Sequence, residues 1–521
     1  MGAALVLVVL TLAVTAVVLV GRKLAPAVPT VDYRAAVITD RLPLPLDPLV
    51  DASDPGVAEL ASLTYRSLLR LDGTAYPIPD LAVGLDESVD GLTYTIPLQN
   101  GLRWSDGSPI TALDALATID WVQSAGFPDP TLAADWKGVR ATLSGSDLLL
   151  NLPAPRASFA VTLTELPILP LGTRAPSTIA GLAAHATSPL PTSGPYMVVG
   201  RTGTAITLAT NPYANPGPRL SRVVLEPVTS FQSAASAFAS GLVDAVLATT
   251  PAERAQLLRR KGSRAHDLLT FGMVDLLFNE RAPGLEDVTV RRAIAEAVDR
   301  ASIVSGPLGG LGMAQAGPIP AGIRWISAGQ LPPPMVQAAE TALDAAGWVV
   351  GPAGGRSRDG VALSFDLSVA DAAPLPAVAQ AIAGQLGVLG IAVDVSVVPA
   401  TSFLSSVLEP GSFQMAIASW DLGPDPDVSE LWASMATPPD GYDVSGGAAD
   451  PFLDQDLETL ATVGQEAQRA SAAARVAADL ASDAPAVFLY APEESLVVSR
   501  NLPSVRVPAA GDPFAAATSW G

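Results

Sequence analysis

Cysteine is absent from all 521 residues, lysine occurs only three times (Lys23, Lys137, Lys261) and histidine twice (His185, His266). Without cysteine there are no disulfides, thiolate metal sites or cysteine nucleophiles. That absence assigns no redox compartment, because an exported protein need not carry disulfides. The shortage of lysine belongs to a wider imbalance of 30 basic against 51 acidic residues, a formal charge of −21. A nucleic-acid partner needs a basic stripe to neutralise phosphates, and none is present. An anionic membrane surface would repel the chain for the same reason. Neither histidine lies beside a nucleophile motif, and GxSxG elbows, HExxH helices, Walker loops and EF-hand loops are all missing. No catalytic residue, metal ligand or cofactor is therefore assigned, and the chain reads as a non-enzyme. Repeats of 20–50 residues and heptad arrays are also absent, which excludes solenoids and coiled coils.

What is present is a long chain with 49% hydrophobic residues, enough to bury a large core divided into two or three lobes. Ala3 to Val20 carries no charge and is followed by Gly21-Arg22-Lys23. That run is about the minimum length for spanning a bilayer and longer than the usual apolar region of a cleaved signal. Residues 1–23 are expected to be a signal or membrane anchor, with an alternative cleavage site after Ala25-Pro26-Ala27. The basic pair after the run opposes both readings under the positive-inside rule. Residues 24–32 are proline-rich and read as a short stiff tether. From Tyr33 onward short strands alternate with helices, predicting mixed α/β lobes.

Local patterns support particular elements. From Asp90 the text is DGLTYTIPLQNGLRWSDGSPI. Its period-two alternation predicts a strand over Leu92–Leu98. Asn100-Gly101 then turns it into a second extended piece at Leu102–Trp104, giving a β-hairpin that ends at Asp106-Gly107. Thr111 is placed to cap a helix over Ala112–Val122. Ala293, Ile294, Ala297 and Val298 form one apolar stripe on a helix over Thr289–Val298, with Arg291, Arg292, Glu296 and Asp299 mostly off it. Residues 386–398 switch from helix to alternating strand after Gly390, which suits a helix C-cap. Residues 350–361 and 436–449 read as surface excursions. The glycine-rich stretch 306–317 fails the spacing of a phosphate-binding loop and reads as a loop.

The segment from Asp90 resembles a signature of the family 5 extracytoplasmic solute-binding proteins, the peptide receptors of ABC importers. Further segments resemble the same family in the same order: LPLPLDPL near residue 45, YRSLLRLDG (65–73), PTSGPY (191–196), TNPYA (210–214), LLFNERAPGLEDVTVRRAIAEAVDRASIV (276–304), LDAAGW (343–348) and LGVLGIAVDVSVV (386–398). Together they cover roughly residues 40–500.

The resemblance implies an α/β, two-lobed, periplasmic-binding-protein-like (class II) fold with an inserted subdomain in the first lobe. The first lobe would be residues 33–68, 189–271 and 488–521, the inserted subdomain 69–188 and the second lobe 272–487. Crossings near 271 and 487 would form a hinge that closes around ligand. The resemblance would put the glycine-rich loop 306–317 at a cleft edge. Function would be that of an extracytoplasmic, membrane-anchored monomer that binds a peptide or similar extended solute and delivers it to an ABC permease and ATPase complex. Some relatives instead regulate cell-envelope glycolipid synthesis, which is the alternative.

One cluster has the chemistry of a ligand grip: SFQMAIASWDLGPDPDVSELW, residues 412–432. Phe413 to Trp420 reads as a strand, and Asp421, Asp425 and Asp427 follow it closely. A carboxylate holds an ammonium strongly when water is excluded, and tryptophan supplies a flat apolar wall. The competing reading is an Asx-turn and cap for a helix from Val428, with the acids solvated. In peptide-binding relatives an Asp three residues after the Trp holds the peptide α-ammonium. Here Gly423 stands at that place and the segment is one residue shorter, so either the amine-binding carboxylate is lost or Asp421 replaces it from a shifted backbone. Trp420, Asp421, Gly423 and Asp425 are the expected ligand-binding residues.

Overall fold

The computed structural model describes residues 32–49, 51, 54–172, 189–326, 329–436, 441–442, 450–500, 502, 505–516 and 519–520. The expected anchor (1–23), nearly all of the tether (24–32), His185 and most of the 436–449 loop lie outside them. Among the described residues no helix is long and apolar enough to cross a membrane.

Several local signals translate directly into elements. The helix Ala112–Val122 starts after Thr111 in a capping box, the Thr111 amide donating to Asp114 Oδ2 at 2.9 Å. The helix Leu375–Val388 ends near Gly390 (φ 76°), and the chain continues as the strand Ala392–Val398. A Cβ on Gly390 would lie 2.7 Å from the Gly354 carbonyl oxygen, so close approach as well as φ requires glycine there. The helix Val288–Ala297 buries Ala293, Ile294 and Ala297 as its periodicity predicts, and Val298 is buried as its C-cap.

Arg291 departs from the sequence reading. It is 3% exposed, and its guanidinium donates to the Leu285 carbonyl at 2.8 Å and to the Asp483 carbonyl and carboxylate at 2.7 and 2.9 Å. Asp483 ends the helix Glu466–Asp483, where unpaired carbonyls carry partial negative charge. A buried cation is stable at that place because those carbonyls need donors.

The hairpin expected between Leu92–Leu98 and Leu102–Trp104 does not form. The strand is Thr93–Ile96, and it pairs with Asp86–Glu87 and Asp147–Asn151. Both of its edges are taken, and Pro97 has no amide with which to extend it. The tight hairpin lies one turn later, around Asp106-Gly107 (Gly107 φ 87°): Trp104 donates to the Ser108 carbonyl at 2.9 Å and Ile110 to the Leu102 carbonyl at 3.1 Å. This hairpin docks on two other segments that carried the resemblance. Ser105 donates through its amide to the Thr192 carbonyl at 2.9 Å, and the Asn211 side chain donates to the Gly194 carbonyl at 2.9 Å. A Cβ on Gly107 would sit 2.8 Å from the Tyr213 hydroxyl. Three sequence signatures are thus one joint.

A twelve-stranded mixed sheet runs through the molecule. Its order is Ala392–Val398, Ser364–Ala370, Met415–Asp421, Gly272–Phe278, Ala486–Val498, Ala245–Ala248, Asp32–Ile38, Arg222–Val228, Ala205–Thr210, Tyr196–Thr202. Arg264–Leu269 and Gly312–Ala314 pair with Ala486–Val498 off this path. That strand is thirteen residues long: residues 486–490 pair with Gly272–Phe278, and residues 493–498 with Arg264–Leu269. Gly312 at its edge donates to Glu493 Oε2 at 3.0 Å, so the glycine-rich stretch 306–317 meets an acid where a phosphate cradle would need donors. Residues 350–361 include most of a small three-stranded sheet, Val349–Val350, Arg356–Arg358 and Val361–Ala362.

The apolar cores divide along the chain. One is built from Tyr33, Leu60, Tyr196, Leu225, Leu496 and Trp520, and a second from Tyr94, Trp104, Ile119, Trp136 and Phe159. On the two faces of the other half-sheet lie cores drawn from residues 273–490, including Phe278, Ile294, Ile382 and Leu489 on one face and Met273, Leu431, Trp432 and Leu460 on the other.

Candidate functional site

The segment Trp420–Asp427 lies where the 273–490 region meets the region centred on Tyr94 and Phe159. Its parts have separate fates. Trp420 ends the strand Met415–Asp421, half-buried, its ring 5.5 Å from that of Tyr442. Asp421 is exposed at the strand end. Gly423 has φ 68°, and no atom lies within 4 Å of where its Cβ would be, so its conformation favours glycine while its surroundings do not demand one. Asp425 is 7% exposed and held in a two-point ion pair, Arg469 Nη1 to Oδ2 at 3.0 Å and Nη2 to Oδ1 at 2.5 Å. Asp427 accepts from the Ser429 amide at 3.0 Å in an Asx-turn just before the short helix Ser429–Trp432, whose N-cap is Val428. Asp421 is the acid of this segment left facing solvent without an ion pair among the described residues.

A second acid approaches from the facing region. Glu165 ends the helix Phe159–Glu165. Its carboxylate remains solvent-accessible although protein surrounds it on most sides, the geometry of a cleft wall. That desolvation first, then the charges of Asp135, Asp425 and Asp421, push its pKa up to about 7, against a lowering by Arg156. Glu494, in the middle of the thirteen-residue strand, is likewise raised by desolvation, Asp421 and Glu253. The charge of Asp421 thus bears on acids from two other parts of the fold, Glu165 and Glu494.

Beside this cleft is a partly open cavity of about 270 Å³. Tyr76, Glu87, Tyr94 and Val161 form one wall, and Trp325, Pro424, Asp425, Gly464, Glu466 and Arg469 the other. Two backbone hydrogen bonds bridge the walls: Ala157 to the Ala461 carbonyl at 2.8 Å and Arg324 to the Thr74 carbonyl at 2.9 Å. Among the described residues, no nucleophile is hydrogen-bonded to a histidine in this cavity or the cleft. His266 lies on the strand Arg264–Leu269, half-buried, its pKa lowered by desolvation and by Arg264.

Residues 76–442 match the family model described as bacterial extracellular solute-binding proteins, family 5 middle. The chain belongs to that family. Family 5 members act outside the cytoplasm. Among curated proteins the chain is 28% identical to protein XP55 of Streptomyces lividans over 328 residues, which cover 62% of this chain and 58% of that protein. The matched stretch spans about half the length of the first curated relatives. Among solved structures it resembles the oligopeptide-binding protein AppA of Bacillus subtilis in complex with a nonapeptide (20% identity, 94% and 98% coverage, TM-score 0.62). It also resembles NikA of Brucella suis in complex with Fe(III)-EDTA (19% identity, 92% and 97% coverage, TM-score 0.73). The fold is accordingly the two-lobed α/β solute-binding fold of family 5, with a large central sheet.

The sequence reading passed over Glu165, Arg469, Glu87 and Glu466. Two of them carried a local signal. Glu165 sits in the last turn of a helix, where the macrodipole disfavours an anion, so a separate reason for its place was needed. Arg469 falls on the same helical stripe as the buried Ala472, Ala473, Val476 and Leu480, which marks a buried cation in search of an acid. Glu87 and Glu466 gave no such signal, being exposed residues that only tertiary structure brings together.

Proposed function

We propose that this family 5 protein is the receptor of an ABC importer for peptides or similar extended solutes, gripping a cationic end of its ligand between Asp421 and Glu165. Family membership carries the receptor reading, and the influence of the Asp421 charge on Glu165, an exposed acid at a helix end, points to the grip. Trp420 supplies an apolar wall beside them, while Gly423 contributes backbone conformation and Asp425 anchors its loop through Arg469. An ammonium held by two carboxylates in a partly desolvated site is favoured by charge-assisted hydrogen bonds. Exposed strand edges would pair with ligand backbone regardless of side chain.

The domain division expected from sequence fits this mechanism. Lobe I (33–68, 189–271, 488–521) with its inserted subdomain (69–188) would close on lobe II (272–487), and the closed form would dock on a permease served by an ATPase. The apolar run Ala3–Val20 supports tethering of a monomer to the outer face of the cell membrane. No observation in the fold favours the regulatory alternative.

Calorimetry of the protein against di- to octapeptides tests the proposal. Heat with at least one peptide class is expected, with affinity reduced about tenfold or more in Asp421→Asn. Because Glu165 titrates at about 7, affinity for a cationic end should fall as pH drops through that value and its carboxylate is protonated. A folded sample giving no heat with any peptide would sink the peptide reading.

A further inference from the structure

The cavity beside the cleft has a charge and shape of its own. Arg469 is the cation on its wall, but its charge is spent: both terminal nitrogens hold Asp425, and Nε donates to the Leu460 carbonyl at 3.0 Å. Two further carboxylates line the space, Glu87 and Glu466, and neither makes an ion pair among the described residues. Tyr76 and Trp325 meet edge to face across the wall with ring centroids 5.6 Å apart. The Trp325 indole N–H is buried without a partner. After desolvation, the Tyr76 hydroxyl is raised by Glu466, Asp72 and Glu87 against a single opposing contribution from Arg469, so the field in the cavity is negative. Gly464 is fitted to the Glu87 carboxylate so closely that a Cβ would collide with it.

We infer that this cavity is a side-chain subsite for a basic residue, taking the guanidinium or ammonium group of an arginine or lysine in the bound solute. The inference rests on the peptide-receptor reading and narrows it to cationic peptides. Negative charge from Glu87 and Glu466 selects the sign of the group. Arg469 already lies over the Trp325 ring, 5.8 Å from its centroid, which shows that a guanidinium is accepted beside this aromatic pair through the ring quadrupole. A volume of about 270 Å³ lies just below the roughly 300 Å³ where whole-ligand pockets begin, so the cavity fits one side chain rather than an entire ligand. Its wall includes Pro424 and Asp425, the continuation of the loop that carries Asp421. A peptide anchored at Asp421 could therefore send a side chain into it.

The test is calorimetry on the full chain with alanine tetrapeptides carrying one arginine at each position in turn, each compared with its citrulline counterpart, which keeps the shape and removes the charge. At one position arginine should bind at least tenfold tighter than citrulline, an advantage that added salt diminishes. Glu87→Gln and Glu466→Gln, both exposed conservative changes, should each reduce that advantage while leaving affinity for the all-alanine peptide unchanged. Equal binding of arginine and citrulline peptides at every position would overturn the inference and leave the receptor reading standing. If no peptide binds, the receptor reading fails and agmatine decides the subsite. Agmatine binding that weakens in both variants sustains it, and no binding of agmatine overturns it.

Discussion

Asp425 and Asp275 are two buried acids in neighbouring parts of one lobe, and they are treated in opposite ways. Asp425 meets the guanidinium of Arg469 at two points inside a hydrogen-bonded loop. Asp275, on the strand Gly272–Phe278 opposite Ala418 and Phe488, is 0% exposed, and neither carboxylate oxygen has a well-formed hydrogen bond. Desolvation raises its pKa well above the ordinary value, and the nearby Trp420 indole opposes this only weakly. The acid with a partner fixes the shape of a loop. The acid without one is kept neutral and costs stability.

The largest effect is expected from breaking the pair. Arg469→Leu leaves Asp425 buried and uncompensated and should destabilise the protein by about 3–5 kcal/mol in urea unfolding; adding Asp425→Leu should return most of the loss. At the other acid the sign reverses. Asp275→Leu removes an unsatisfied buried group and should stabilise by about 1–3 kcal/mol less the strain of a larger side chain. Because Asp275 is raised on folding, native stability should decline as pH climbs from about 4, the unfolded carboxyl range, through its folded value. That share of the decline should vanish in Asp275→Asn, as thermal melts at several pH values would reveal. Asp427 stands between the two cases, its carboxylate accepting from the Ser429 amide in an Asx-turn, and Asp427→Ala should cost about 1 kcal/mol. The smallest stability effect belongs to Asp421→Asn. This exposed site should change unfolding by less than about 0.5 kcal/mol while weakening ligand, which separates binding from scaffold.

Elements whose signal is local were legible in the sequence. Thr111 and the helix it starts, and the Gly390 turn between helix and strand, follow from capping chemistry and positive φ within a few residues. The hairpin after Thr93 was misjudged because strand edges are filled from a distance: Leu148–Leu150 took the place that Leu102–Trp104 would have needed. The buried state of Arg291 depends on the end of a helix some 190 residues later. In the candidate site, Trp420 and Asp421 were singled out from their neighbourhood in the chain. The internal pairing of Asp425 was hidden because Arg469 is 44 residues away. The cavity was not legible at all, since Glu87 and Glu466 become neighbours only through the fold.

The thirteen-residue strand Ala486–Val498 has a mechanical consequence. One unbroken ribbon of backbone is hydrogen-bonded to Gly272–Phe278 at one end and to Arg264–Leu269 and Ala245–Ala248 at the other. Such a ribbon resists sliding, because register changes in steps of a whole residue and flips every side chain, but it yields to twist. Were one sheet half to turn against the other, the ribbon would serve as a torsion bar: the few residues around Pro492, paired with Gly312–Ala314, would wind or unwind and carry the carboxylate of Glu494 round with them.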